Sequence, residues 1–108
     1  MTAETAKAGR GYIYVEMTIH DPEGFKTYTA LSAPAVRAAG GRYVVMGARP
    51  EFLEGSGPAN RIALVEFESA DRARAFYHSA AYQAAREKRL TAAEFRMTLL
   101  EGLAGGPR

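Results

Sequence analysis

The sequence contains no cysteine and no tryptophan. The absence of cysteine excludes a disulfide framework, thiolate zinc sites, iron–sulfur clusters and a cysteine nucleophile. No run of about 18 apolar residues occurs, so no membrane-spanning helix is predicted. The opening Met-Thr-Ala-Glu-Thr-Ala-Lys-Ala-Gly-Arg lacks the apolar stretch of a signal peptide, and a cytoplasmic location is the expectation. Charge of one sign is scarce as well: 14 Lys and Arg oppose 12 Asp and Glu, a net charge of +2. The basic residues are scattered and only Arg86 to Arg89 is locally dense, whereas a nucleic-acid footprint requires a larger basic stripe. Neither nucleic acid nor a membrane is therefore an expected partner. His20 and His78 stand far apart with no His-x-His or His-x-x-Glu spacing, so no metal is expected. Gly-Ser-Gly-Pro at 55–58 is too short for a phosphate loop and no Gly-x-Gly-x-x-Gly follows a strand, which disfavours nucleotide cofactors. The serines have no nucleophile-elbow context.

What is present fits one domain. The 108 residues, 47% of them hydrophobic, can bury roughly two-thirds of the unfolded chain's surface without a covalent staple. Residues 11–19 alternate Ile13, Val15, Met17 and Ile19 with Tyr12, Tyr14, Glu16 and Thr18, the period of a two-faced strand. Asp-Pro-Glu at 21–23 supplies an N-cap, a proline at the first helical position and an acid in the first turn; the helix that follows is expected to turn Phe25, Tyr28 and Leu31 inward. Pro34 predicts a kink or restart near 32–34, and Gly40 a left-handed C-terminal cap. Arg42–Met46 forms a second predicted strand, which Glu51–Leu53 would extend past a bend at 47–50, and 61–67 a third. Ser69 and Ser79 cap two helical segments, the second reaching about Leu90, and Phe95–Glu101 is the last strand. Residues 1–10 are expected to be a disordered or frayed N-terminus, 11–102 the folded domain and 103–108 a tail.

The order strand, helix, strand, strand, helix, strand is the α+β, ferredoxin-like βαββαβ arrangement with a four-stranded antiparallel sheet. Ile13, Val15, Met17, Ala63, Val65 and Phe67 are assigned to the helix-covered face. Tyr12, Tyr14, Ile62 and Leu64 then lie on an open face, which a homodimer would cover sheet against sheet.

Gly-Tyr-Ile-Tyr-Val (11–15), Asp-Pro-Glu-Gly-Phe-Lys-Thr-Tyr (21–28), Gly-Gly-Arg-Tyr (40–43), Val-Glu-Phe-Glu-Ser (65–69) and Phe-Tyr-His-Ser-Ala-Ala-Tyr-Gln (76–83) resemble the domain of unknown function 1330 family. The resemblance implies a dimeric α/β barrel of ferredoxin-like subunits and no particular reaction. The family's wider structural relatives include cofactor-free antibiotic-biosynthesis monooxygenases, muconolactone isomerases and small-molecule-binding proteins, so the resemblance bears on fold more than on function. Phe76 stands where the family more often has Trp, and His78 where it often has Asn. Tyr28, Glu66, Tyr77, Ser79, Tyr82 and Arg89 match the family pattern and are carried over as pocket candidates.

The residues suggest chemistry of their own. Glu16 and Glu66 are mid-strand acids on neighbouring central strands; facing each other, one would stay charged while the other was held protonated. The alternative is that each is bridged by Arg42, Arg61 or Arg96. His78, beside Tyr77 at a helix break, is a candidate proton carrier, against an exposed helix-end residue; His20 is a candidate ligand contact or a turn histidine. Tyr28, Tyr77 and Tyr82 would line a pocket for a conjugated ligand, or simply pack. Arg89 would anchor a carboxylate or enolate, or pair with Glu87 or Glu94. The expected catalytic set is thus Glu66, His78 and Arg89, with Tyr28, Tyr77, Tyr82, Glu16 and His20 binding substrate. The expected activity is cofactor-free acid–base chemistry (isomerisation, cyclisation, lactone rearrangement or oxygenation) on a small aromatic or polyketide-like metabolite. A non-catalytic dimer that binds a metabolite or a protein partner is the alternative.

Overall fold

The structure, a computed structural model, describes residues 9–108; the N-terminal end expected to fray lies outside the described residues as far as residue 8. The chain runs β1 (Gly11–Ile19), α1 (Pro22–Ala38), β2 (Arg42–Ala48), β3 (Arg61–Phe67), α2 (Ala70–His78), α3 (Ala80–Arg89) and β4 (Ala93–Glu101). The strands form one antiparallel sheet in the order β2-β3-β1-β4. This is the ferredoxin-like arrangement, with all three helices on one face. Ile13, Val15, Met17, Ala63, Val65 and Phe67 are buried beneath the helices, and Tyr12, Tyr14, Ile62 and Leu64 on the other face are half-exposed.

Local chemistry sets the element ends. Asp21 accepts a hydrogen bond from the Gly24 amide at 3.1 Å, and Pro22 occupies the first turn of α1, where its missing N–H has no cost. Gly40 takes φ +77° after the helix, a conformation that L side chains resist. Ser69 caps α2 by accepting from the Arg72 amide. At the α2–α3 junction the extended backbone of Ser79 stops one helix, while its hydroxyl donates to the Phe76 carbonyl at 2.7 Å and accepts from the Tyr82 amide at 3.2 Å to start the next. That junction leaves His78 at the end of α2 and sends α3 back across the sheet with Arg89 at its own end.

Three expectations are corrected. The first helix does not restart at Pro34 but runs through it; its burial stripe Tyr28, Ser32, Ala35 and Val36 spans the proline, so packing outweighs one missing backbone bond. Leu31 is 42% exposed, because at 100° per residue it falls at the edge of that stripe. Residues 51–53 do not extend β2. The strand ends at Ala48 after irregular pairing with β3, and the chain enters an exposed loop in which Phe52 and Leu53 project.

Candidate functional site

On the helix-covered side, α2, α3 and β4 enclose a cavity of about 390 Å³, within the range of small-molecule sites. Its walls are of two kinds. Ile13, Phe95, Met97 and Leu99 from the sheet give an apolar floor, while Arg74, His78, Arg86 and Arg89 from the helices bring cationic and titratable groups, and no Asp or Glu among the described residues lines it.

Arg89 is the unusual member. It is only 6% exposed, and its Nε has no hydrogen-bond partner. Among the described residues neither Glu87 nor Glu94, nor any other carboxylate, pairs with it, so the salt bridge weighed from the sequence does not form. Its guanidinium carbon instead lies 4.0 Å from the centre of the Phe95 ring and 5.8 Å from that of Tyr28, with Nη2 3.8 Å from the Met97 sulfur. A guanidinium cannot escape burial by losing its proton as a lysine can. Burying an ion costs several kcal/mol, and desolvated cation–π contacts return about 2 kcal/mol each. The cation–π contacts therefore offset only part of the cost of burying this charge.

The neighbouring tyrosines are arranged around it. Tyr28 and Tyr82 share a buried hydrogen bond of 3.0 Å, and Tyr82 also reaches the Met97 sulfur at 3.4 Å. Both line a smaller apolar cavity of about 90 Å³ that shares Ile13, Phe95 and Met97 with the first. Burial, then the neighbouring Tyr82, push the Tyr28 phenol far above its ordinary value, so Tyr28 stays neutral. Tyr77 lines the larger cavity beside His78, their rings edge to face at 5.2 Å. His78 is exposed at the helix end, as one of its two sequence readings had it, and also lines the cavity.

The two glutamates stand elsewhere. They do not face each other: Glu16 is opposite Ile62 and Arg96, and Glu66 opposite Tyr12 and Arg42, four residues further along each strand. Both point to the open face. Glu16 accepts from Arg96 Nε and Nη2 at 2.7 and 3.0 Å, and Glu66 accepts from Tyr12 Oη at 2.9 Å and Arg42 Nε at 2.6 Å. The arginine bridging weighed from the sequence is what is found. His20 sits in the exposed β1–α1 turn, its amide donating to the Ala92 carbonyl, away from the cavity. The structure therefore brings together Arg89, His78, Tyr77, Tyr28 and Tyr82, and leaves Glu66, Glu16 and His20 apart.

The Tyr12 hydroxyl, with Arg42 beside it, holds the Glu66 carboxyl below its ordinary 4.5. A depressed carboxyl stabilises the fold fully above its unfolded value and loses that contribution as pH falls through the folded value. Glu66→Gln is expected to lower the urea midpoint by more at about pH 7 than at about pH 3. A constant difference at both pH values would show that this carboxylate carries no acid-sensitive stability.

Arg86, Arg74, Phe95 and Met97 were not among the sequence candidates. Arg86 carries a signal: it stands three residues before Arg89, on the same face of α3. Phe95 and Met97 follow once β4 is given a phase, because they alternate with Arg96 and Thr98.

The sequence model of the family described as domain of unknown function (DUF1330) matches residues 10–103. Among solved structures, the fold is similar to a protein of unknown function from Rhodopseudomonas palustris (19% identity, 92% of this chain and 86% of that chain covered, TM-score 0.68). It is also similar to SnoaB, a cofactor-independent oxygenase from Streptomyces nogalater (14% identity, 94% and 100% covered, TM-score 0.66), and to HapK from Hahella chejuensis (12% identity, 91% and 97% covered, TM-score 0.62). No curated protein matches the chain.

Proposed function

The chain belongs to the DUF1330 family, and we propose that it is a small-molecule-binding homodimer that performs acid–base chemistry on an oxygenated, conjugated compound in the cavity beside Arg89. The observation that carries the reading is Arg89 itself, a buried guanidinium without an acidic partner at the wall of a cavity that His78 and Tyr77 also line. An enolate forming on a bound carbonyl compound would meet the uncompensated charge of the guanidinium, and stabilisation of charge that develops in a desolvated site is the largest catalytic lever available to a chain of this composition. His78 would take a proton from the carbon next to the carbonyl and return it to another carbon, which moves a double bond with no change in oxidation state. Phe95, Met97 and Leu99 would hold the flat skeleton. Oxygenation would begin from the same carbanion with dioxygen as co-substrate, and the likeness to a cofactor-independent oxygenase of this fold supports that variant. Glu66, Glu16 and His20 have no part in this chemistry.

The homodimer is supported by the open sheet face. Tyr14, Leu64 and Ile62 are half-exposed there, with no second layer over them among the described residues, and the chain is only 15 Å deep along its shortest axis.

Native mass spectrometry of freshly isolated protein tests the reading, followed by release of bound compounds and incubation of each with substoichiometric protein. The expected result is a two-chain species whose ligand, or a precursor of it, is converted, with His78→Ala slowing turnover about 10²-fold. A ligand returned unchanged by wild-type protein would overturn catalysis in favour of the non-catalytic metabolite-binding dimer.

A further inference from the structure

The cavity holds more positive charge than one carboxylate or enolate requires. Arg86 and Arg89 lie on one face of α3 at i and i+3, where side chains are neighbours and like charges repel. Arg74 also lines the cavity, but Asp71 occupies it at 2.7 Å, while Arg86 has only Glu87 at 4.0 Å, the limit of an ion pair. Arg86 is half-buried at the mouth and Arg89 is buried at the wall. Both occupy the last turn of the helix, and the helix dipole accounts for cations at that end. It does not account for both turning into one cavity with no acid among the described residues to separate them.

We propose that the ligand is a dianion, an aromatic or conjugated compound with two acidic oxygen groups on one side of its skeleton, the first held by Arg89 and the second by Arg86. The inference rests on the reading of Arg89 as the ligand's anchor and adds the second charge. Bound in this way, one acid group satisfies the buried guanidinium, the other relieves the repulsion between the two arginines, and the ring lies on Phe95, Met97 and Leu99.

The test is a calorimetric titration of the intact protein with benzoate, isophthalate and dimethyl isophthalate, three probes that share a ring and differ in charge. Isophthalate is expected to bind about tenfold more tightly than benzoate, the gain typical of one added, partly solvated charge-assisted contact, and the diester should not bind. Arg86→Gln, at a partly exposed position the fold does not depend on, should bring isophthalate down to the affinity of benzoate and leave benzoate unchanged. Arg74→Gln should leave the preference intact, because Asp71 already occupies that side chain. Equal binding of the two acids by wild type would overturn the second charge alone, provided benzoate binding is lost in Arg89→Met. Binding of the diester as tightly as the diacid, or benzoate binding that survives Arg89→Met, would overturn the anchor as well. Equal losses in Arg86→Gln and Arg74→Gln would replace the specific contact with a diffuse field.

Discussion

Replacing Arg89 with methionine is expected to stabilise the protein and to abolish ligand binding, two effects of opposite sign from one side chain. The stabilising half follows from what Arg89 lacks. Its Nε is buried without a partner, and no carboxylate among the described residues faces it. Methionine removes the desolvated charge, nearly fills its volume and would replace the cation–π contact on Phe95 with a sulfur–aromatic one. Replacing buried ionic groups by packed apolar ones has raised stability by about 1–4 kcal/mol elsewhere, and a similar gain is expected here in urea unfolding at one fixed protein concentration. The functional half follows from the same isolation. No carboxylate among the described residues pairs with the guanidinium, so a ligand anion would be its charge partner, and truncating one side of a buried charge pair costs about 2–5 kcal/mol. That is roughly 30-fold to several thousandfold in affinity, enough to carry a weakly bound small acid out of the measurable range. A destabilised Arg89→Met would mean that the cation–π contacts with Phe95 and Tyr28 hold the core together, and Arg89 would revert to a structural residue.

The same opposition explains why Arg89 could be named from the sequence but not assigned. Its position matched a family pattern, and Glu87 and Glu94 stood near enough in the chain to be partners. The choice between anchor and salt bridge depends on which way the end of α3 faces. That is set by the extended residue Ser79, which turns α3 across the sheet, and by the phase of β4, which puts Phe95 rather than Glu94 under the guanidinium. The strand face of β1, the caps at Asp21, Ser69 and Ser79, and the left-handed Gly40 were legible because each depends on residues within one turn or on a period of two. The relation of Glu16 to Glu66 was not. Neighbouring strands follow from topology, but register is fixed where β3 begins after a long loop, where Asn60 bridges the Ile19 amide and carbonyl with its own side chain. The displacement keeps both acids on the expected face and separates them along the strands. Pro34 misled for a related reason: a local penalty of one hydrogen bond was weighed without the burial of Tyr28, Ser32, Ala35 and Val36 on both sides of it.

Leu64→Glu is expected to turn the protein into a folded monomer. Leu64 lies on β3, opposite Tyr14 on β1, near the middle of the sheet face that carries no helix. It is half-exposed in the single chain, so a glutamate there meets water and the helix-covered core beneath Ala63 and Val65 is untouched. In a two-fold dimer with sheet against sheet, the same glutamate would enter the interface once from each protomer. Each carboxylate would be taken out of water without a partner, because Arg96 and Arg42 already hold Glu16 and Glu66. Two such penalties of about 2 kcal/mol or more weaken association by roughly 10³-fold. Sedimentation equilibrium should show wild type as a dimer and Leu64→Glu as a monomer, with unchanged far-ultraviolet circular dichroism. A wild-type monomer would sink the dimer outright. A variant that stays dimeric would place the interface elsewhere, and the exposed loop carrying Phe52 and Leu53 would then be the first surface to substitute, because Leu53 is the most exposed of the large apolar side chains among the described residues. The cavity beside Arg89 lies on the opposite side of the sheet from Leu64, so the monomer should retain its binding of small acids, and loss of binding together with dimerisation would show that the two faces are coupled.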